Sequence, residues 1–326
     1  MGANAYELGQ ILEVNKESLA SYCANTWQER TLHALRKCRT AALGGHIDRC
    51  NNPNCHRLHL SYNSCRNRHC PKCQGHQKEK WIRAREEELI NTTYFHVVFT
   101  LPSELNQLCL YRPKLMYSLL FKTAWGVIRD FGANPKFLGA KTGMISILHT
   151  WGQNMSLHPH LHCIVPGGGI TPSGKWKCTK AKGKYLFPVK AMSSVFRGRF
   201  VAGLRKELKS ESDEFYESLF KNKWVVYCKR PFLGPSQVVE YLGRYTHKIA
   251  ISNARIKSIK NNKVSFTVKD YRHGGKRSMC QLSQKEFIRR FALHILPKGF
   301  VRIRHYGILS SYHKKTSIPK LQKTLG

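Results

Sequence analysis

The chain has 326 residues, 41% of them hydrophobic, and 55 Lys and Arg against 19 Asp and Glu give a formal charge of +36. That length and apolar content fit a folded protein with a large core and room for about two domains, and no apolar run approaches the ~20 residues of a bilayer span. A basic excess spread along the whole chain seeks a polyanion, and nucleic acid is preferred to a membrane surface because no basic amphipathic helix or lipidation signal concentrates the charge.

The opening MGANAYELGQ has no basic start followed by an apolar stretch, so a cytoplasmic location, associated with a bacterial nucleoid, is the expectation. Residues 1–45 read as helical, with Leu8, Ile11, Leu12, Leu32 and Leu35 spaced for amphipathic faces. The chain has 12 cysteines, and without a secretion signal these argue against a disulfide scaffold. Five of them crowd into "CNNPNCHRLHLSYNSCRNRHCPKC", which points to metal. Cys70 and Cys73 form a CxxC around Pro71, and Cys50 with Cys55 forms a second pair, so these four are the expected structural Zn2+ ligands of a zinc-ribbon or treble-clef-like hairpin. Cys65, His59 and His69 are left over, either to complete a second site or to replace one of the four. Four thiolates leave no open coordination position, so the module stabilises a small fold and meets DNA through Arg57, Arg66, Arg68 and Lys72.

A charged helix is expected over residues 77–90, then a strand "YFHVVFTLP" ended by Pro102, then a helix from Pro113 to Phe131. "GMISILHTWGQ" and "SLHPHLHCIVPGGG" read as two strands of a hairpin. Residues two apart on a strand share a face, so His160 and His162 present paired imidazoles, and antiparallel pairing carries His149 back beside them. Three neutral nitrogen ligands with open positions describe a catalytic site for Mg2+, Mn2+ or a similar ion. His158 competes for the third place, and half-buried histidines in a sheet remain the bland alternative.

Further on come a helix near Arg197 to Lys209, a strand "WVVYCKRP", and a helix capped by Ser236 over "SQVVEYLGRYTHKIA". Tyr241 and Tyr245 sit one helical turn apart on one side of it, as core aromatics or as nucleophiles. A tyrosine hydroxyl can attack a DNA phosphodiester and leave a 5′-phosphotyrosine and a free 3′-OH, which conserves the bond energy for rejoining. A hairpin turning at Asn261-Asn262, a helix over residues 285–296, the stretch "LPKGFVRIRHYG" and a basic tail complete the chain, with no internal repeat. Arg244, Lys248, Arg272, Arg302 and Arg304 extend the basic surface for single-stranded DNA, with Tyr271 and Tyr306 available for base stacking.

At this point the residues carry a family resemblance. "HPHLHCIVPGGG" looks like the HUH motif (histidine, hydrophobic, histidine), "YLGRYTHKIAISN" resembles the paired-tyrosine motif of the rolling-circle transposases of insertion sequence family 91, and "YNSCRNRHCPKCQ" resembles that family's N-terminal zinc-binding domain. The likeness runs over roughly residues 30–310 and includes "CRTAALGGH", "LHTWGQN" and "LPKGFVRIRHYG". One departure is the first cysteine pair, CxxxxC here where the family more often has CxxC.

The resemblance implies an α+β fold: an HUH endonuclease-type antiparallel sheet with flanking helices, plus a small N-terminal helical and zinc-ribbon-like domain. The corresponding division is 1–90 for the helical and zinc-binding domain, 91–310 for the nuclease domain and 311–326 for the basic tail. It implies a transposase that nicks and rejoins single-stranded DNA at the ends of its own element and in the target, by rolling-circle or peel-and-paste transposition, with His160 and His162 as metal ligands and Tyr241 and Tyr245 as nucleophiles. Both tyrosines are present, against the related single-tyrosine elements, and His247 is the general-base candidate by proximity. The competing readings are a replication initiator or relaxase with the same chemistry, and a non-enzymatic zinc-dependent nucleic-acid-binding protein. The scarce acids offer no carboxylate triad for a DDE-type transposase.

Overall fold

The computed structural model describes residues 6–209, 211–229, 231–232, 234, 237–238, 241, 243, 248–270 and 274–325. Strands are β1 (Gly45–Arg49), β2 (Leu58–Tyr62), β3 (Tyr94–Thr100), β4 (Gly143–Trp151), β5 (Leu157–Pro166), β6 (Gly168–Ile170), β7 (Trp176–Cys178), β8 (Val226–Cys228), β9 (Ile256–Lys260), β10 (Lys263–Asp270), β11 (Lys276–Ser283) and β12 (Ile303–Gly307). The main helices are α1 (Leu8–Val14), α2 (Thr26–Arg36), α3 (Gln74–Glu86), α4 (Asn106–Tyr111), α5 (Pro113–Ala133), α6 (Val189–Glu207), α7 (Asp213–Lys221), α8 (Gln284–Leu293) and α9 (Ser317–Leu325). The architecture is α+β, with a five-stranded antiparallel sheet flanked by helices. No described helix is long and apolar enough to cross a membrane.

Local chemistry explains where these elements start and turn. Asn25 caps α2 by accepting the Gln28 N–H at 3.0 Å, Ser283 caps α8 by accepting that of Glu286 at 3.2 Å, and Pro113 opens α5, where its missing N–H costs nothing. Asn261 and Asn262 both take positive φ, 49° and 56°, the pairing that a two-residue hairpin turn between β9 and β10 requires. Ser236, the expected cap of the tyrosine-bearing helix, lies outside the described residues.

The chain divides into two compact units, each discontinuous in sequence. One comprises Met1–Glu79, Trp151–Leu157 and His247–Lys298. In it α1 and α2 bury Leu8, Ile11, Leu12, Leu32 and Leu35 in one core with Phe266, Phe287, Ile288 and Phe291 of the β9–β10–β11 sheet and α8. The tip of the β4–β5 hairpin joins that core through Met155, which is fully buried and held at φ 58°.

The second unit comprises Lys80–Thr150, His158–Thr246 and Gly299–Gly326, and carries the five-stranded sheet in the order β12-β4-β5-β3-β8. Sequence patterning finds β3, β4 and β5, but the "RIRHYG" stretch is also a strand, β12, which pairs with β4 through Ile303 opposite Ile147. The "WVVYCKRP" strand shrinks to Val226–Cys228. The basic tail is helical, and Ile318 and Leu321 bury themselves in this unit's core.

His294 is a buried titratable group in the first unit, with Nε2 3.0 Å from the Met155 carbonyl and its ring edge-on to Trp151. Burial lowers its pKa to about 4, from 6.5. Between those values the unfolded chain takes up a proton that the folded chain refuses, so stability falls as pH drops from about 6.5 towards 4. The melting midpoint should therefore be lower at pH 5 than at pH 7.5, and His294→Gln, which keeps an N–H donor, should flatten that difference.

Candidate metal centres and tyrosine site

The cysteine cluster of the structure is Cys38, Cys65, Cys70 and Cys73, with all four sulfurs within 4.8 Å of one another. Cys38 Sγ is 3.5 Å from both Cys70 and Cys73, and Cys65 Sγ is 3.7 Å from Cys73. A tetrahedral zinc with Zn–S bonds of ~2.3 Å places its sulfurs about 3.8 Å apart, so the donor set fits Zn2+ closely. Backbone turns hold it: Cys70 N–H bonds to Asn67 O at 3.0 Å, Cys73 N–H to Cys70 O at 3.3 Å, and Cys65 N–H points at Cys38 Sγ at 3.4 Å. Hydrogen bonding from Cys70 holds the Cys65 thiol down to about 5, while burial pushes Cys38 up to about 11. Four thiols brought this close together can share one cation as thiolates, with release of their protons.

This set keeps Cys70 and Cys73 from the spacing argument, takes Cys65 from the alternatives, and adds Cys38, which the spacing argument omits. Cys50 and Cys55 are exposed at the end of the β1–β2 hairpin, outside the cluster. His69 is buried, its N–H on Asn67 Oδ1 at 2.9 Å, and it is not among the clustered ligands. Of the four basic residues expected to meet DNA, Arg57 and Arg66 are exposed. Arg68 bonds to the Pro297 carbonyl at 3.2 Å, and Lys72 pairs with Glu7.

The second cluster is built on the five-stranded sheet. His149 on β4 and His160 and His162 on β5 bring one ring nitrogen each within 4.8 Å of one another. His160 Nδ1–H donates to the His158 carbonyl at 2.7 Å, which fixes the tautomer and leaves its Nε2 lone pair facing His162 Nε2 at 3.1 Å. Two such lone pairs repel unless a cation or proton lies between them. Ligand nitrogens on one metal sit about 3.0 Å apart in octahedral and 3.4 Å in tetrahedral geometry, so this spacing fits a divalent ion. His158, the competitor, is exposed and outside the trio.

Strand register brings in a fourth imidazole. Val98 of β3 lies opposite His162, and His96, two residues back, shares that face. His96 Nε2 is 2.9 Å from His162 Nδ1 and 2.7 Å from the Tyr241 hydroxyl, which is itself 3.3 Å from His162 Nδ1. Burial, with Lys229 and His160 nearby, depresses the His96 pKa to about 3, so its ring is neutral at pH 7, and the tautomer protonated at Nδ1 can accept the tyrosine O–H at Nε2. Tyr241 packs its own ring against Phe232 and His96. A histidine inside the apolar alternation of "YFHVVFT" is the signal for His96, but only the register shows what it faces.

The other expected site residues are distributed unevenly. Tyr245, Arg244, His247, Arg272 and Tyr271 lie outside the described residues. Lys248 is exposed. Arg302 is buried, Arg304 lays its guanidinium over Phe121 at 4.2 Å and Phe300 at 5.3 Å, and Tyr306 stacks on Trp125.

Over residues 143–317 the chain matches a family described as a putative transposase, and over residues 11–101 one described as a transposase zinc-binding domain. It is 42% identical over 319 residues to the putative transposase y4qJ of Sinorhizobium fredii, covering 93% of this chain and 79% of that protein. It is 27% identical over 305 residues to the transposase for insertion sequence element IS801 of Pseudomonas savastanoi pv. phaseolicola, covering 90% and 73% respectively.

Zinc analysis of variants separates the two cysteine sets. Cys38→Ser should lose bound zinc and lower the melting midpoint, whereas Cys50→Ser and Cys55→Ser should keep wild-type zinc content by atomic emission.

Proposed function

The chain belongs to the transposases of insertion sequence family 91, a DNA-processing enzyme family, and from that premise we propose that it nicks and rejoins single-stranded DNA through tyrosine nucleophiles at a divalent-metal HUH site. The observation that carries this reading is the arrangement around His162. One of its nitrogens faces His160 at 3.1 Å and the other lies 3.3 Å from the Tyr241 hydroxyl, so a nucleophile and a metal-binding face share one ring.

A divalent ion such as Mg2+ or Mn2+ held by His149, His160 and His162 would polarise a scissile phosphoryl oxygen. The chain's own residues do the rest. His96 holds the Tyr241 hydroxyl by its proton and is the nearest acceptor for it. In cleavage the Tyr241 oxygen bonds to phosphorus and the P–O3′ bond breaks. The phenolic proton leaves to the acceptor and the departing 3′ oxygen gains one, giving a 5′-phosphotyrosine and a free 3′-OH. Attack by another 3′-OH reverses the step and joins strands without ATP. Tyr245, four positions on, supplies the second nucleophile for a linked transfer at the other end or the target.

The zinc cluster is structural in this reading, and Arg66, exposed beside it, can meet the DNA backbone. The DNA comes from the ends of the protein's own mobile element, which places the protein in the bacterial cytoplasm at the nucleoid.

Incubation with end-labelled single-stranded DNA from those ends should give a Mn2+-dependent covalent adduct carrying the 5′ end of the cleaved strand on a denaturing gel. The Tyr241→Phe/Tyr245→Phe double variant should bind DNA and form none; retained adducts would move the nucleophile elsewhere. His96→Leu should slow adduct formation about 100- to 10,000-fold, with partial recovery in His96→Gln.

A further inference from the structure

A cavity of about 460 Å³ opens in the second unit, at the start of β4, between α5 and the C-terminal helical segment. It falls within the ~300–1,000 Å³ of small-ligand sites. Trp125, Ile170 and Ile308 contribute apolar surface, and Lys141, His313 and Arg129, whose Nε pairs with Asp130 at 2.7 Å, line it as well. No acidic residue lines it among the described residues. Lys177 adds another cation, its Nζ 3.5 Å from where a side chain on the lining residue Gly139 would begin.

Trp125 is a built part of this cavity. One side of its indole stacks on Tyr306, with ring centroids 5.2 Å apart and planes 14° from parallel. Gly307 has φ +57°, and a Cβ there would come within 2.7 Å of the indole and 2.1 Å of the Thr142 carbonyl. Only a glycine lets the indole lie where it does, and the Tyr306 stack supports that pose on one side. Among the other lining residues, Lys141 Nζ donates to His313 Nε2 at 3.0 Å, and His313 Nδ1 in turn meets Ser317 Oγ at 3.1 Å.

An aromatic plate with apolar walls and a cationic rim matches one chemistry: a planar base attached to a phosphodiester. We propose that this cavity takes a single unstacked nucleotide of the DNA strand being processed, its base against Trp125 and its phosphates against Lys141 and Arg129. The proposal rests on the single-strand reading above and adds a recognition site to it. Thr142 and His149 are seven residues apart on or beside β4, so the cavity lies roughly 24 Å along the strand from the histidine cluster at ~3.4 Å per residue. At about 3.4 Å per stacked nucleotide a straight path puts the captured base about seven nucleotides from the scissile phosphate, and nearer in a stretched strand. The cavity thus reads identity at a distance from the cut.

The test is an abasic scan of single-stranded DNA from the element's end, with binding measured by fluorescence anisotropy and adduct formation measured on the same oligonucleotides with Mn2+. One position within that window should weaken binding about 5- to 150-fold when its base is removed, as expected for loss of one aromatic stack. The penalty should vanish in Trp125→Ala and persist in Trp125→Phe, and 5-iododeoxyuridine at that position should photo-crosslink the wild-type protein at Trp125. An equal penalty in wild type and Trp125→Ala, or uniform tolerance of abasic sites, overturns the proposal while adducts keep the nuclease reading. A Trp125-dependent penalty without adducts supports the cavity and overturns the nuclease.

Discussion

An imidazole has two nitrogens, and a buried one must satisfy both. His162 meets that demand by facing two ways at once: towards His160 on its own strand, and towards His96 and Tyr241 behind it. This is available only because β5 sits between β4 and β3, so that one face of three neighbouring strands collects His149, His160, His162 and His96. Burial keeps the His96 ring neutral beside them, and neutral imidazoles are what a divalent ion needs. Sheet order, tautomer and ligand readiness are therefore one constraint seen at three scales.

The two clusters of donors differ in a way that suits different roles. Four sulfurs close around one point, with Cys38, Cys70 and Cys73 buried, and leave no place for a substrate. Three histidines supply half of an octahedron and leave the rest open. Thiolates favour a soft ion such as zinc, whereas imidazoles accept a wider range of divalent ions, so the two donor sets differ in the metals they suit.

Much of the five-stranded sheet was legible in the sequence. Alternation around "HPHLHCIVP" and the short loop before it are local features, and they suffice to place His149 beside His160 and His162. What was not legible is non-local. His96 stands 66 positions before His162, and its role depends on register between β3 and β5, which no short window contains. Cys38 stands 27 positions before Cys65, just beyond α2, so a rule built on tight cysteine pairs chooses Cys50 and Cys55 instead. Strand β12 hides in "RIRHYG" because its residues are basic and half-buried, without a clean apolar alternation.

The discontinuity of the first unit has a consequence for synthesis. When the ribosome has released the N-terminal 79 residues, Leu8, Ile11, Leu12, Leu32 and Leu35 have no Phe266, Phe287 or Phe291 to cover them. About 200 residues must be made before that core closes, and the intervening chain includes most of a second folding unit with its own sheet. Early capture of zinc by Cys38, Cys65, Cys70 and Cys73 would then act as a temporary clasp on a nascent segment whose apolar faces still await their partners.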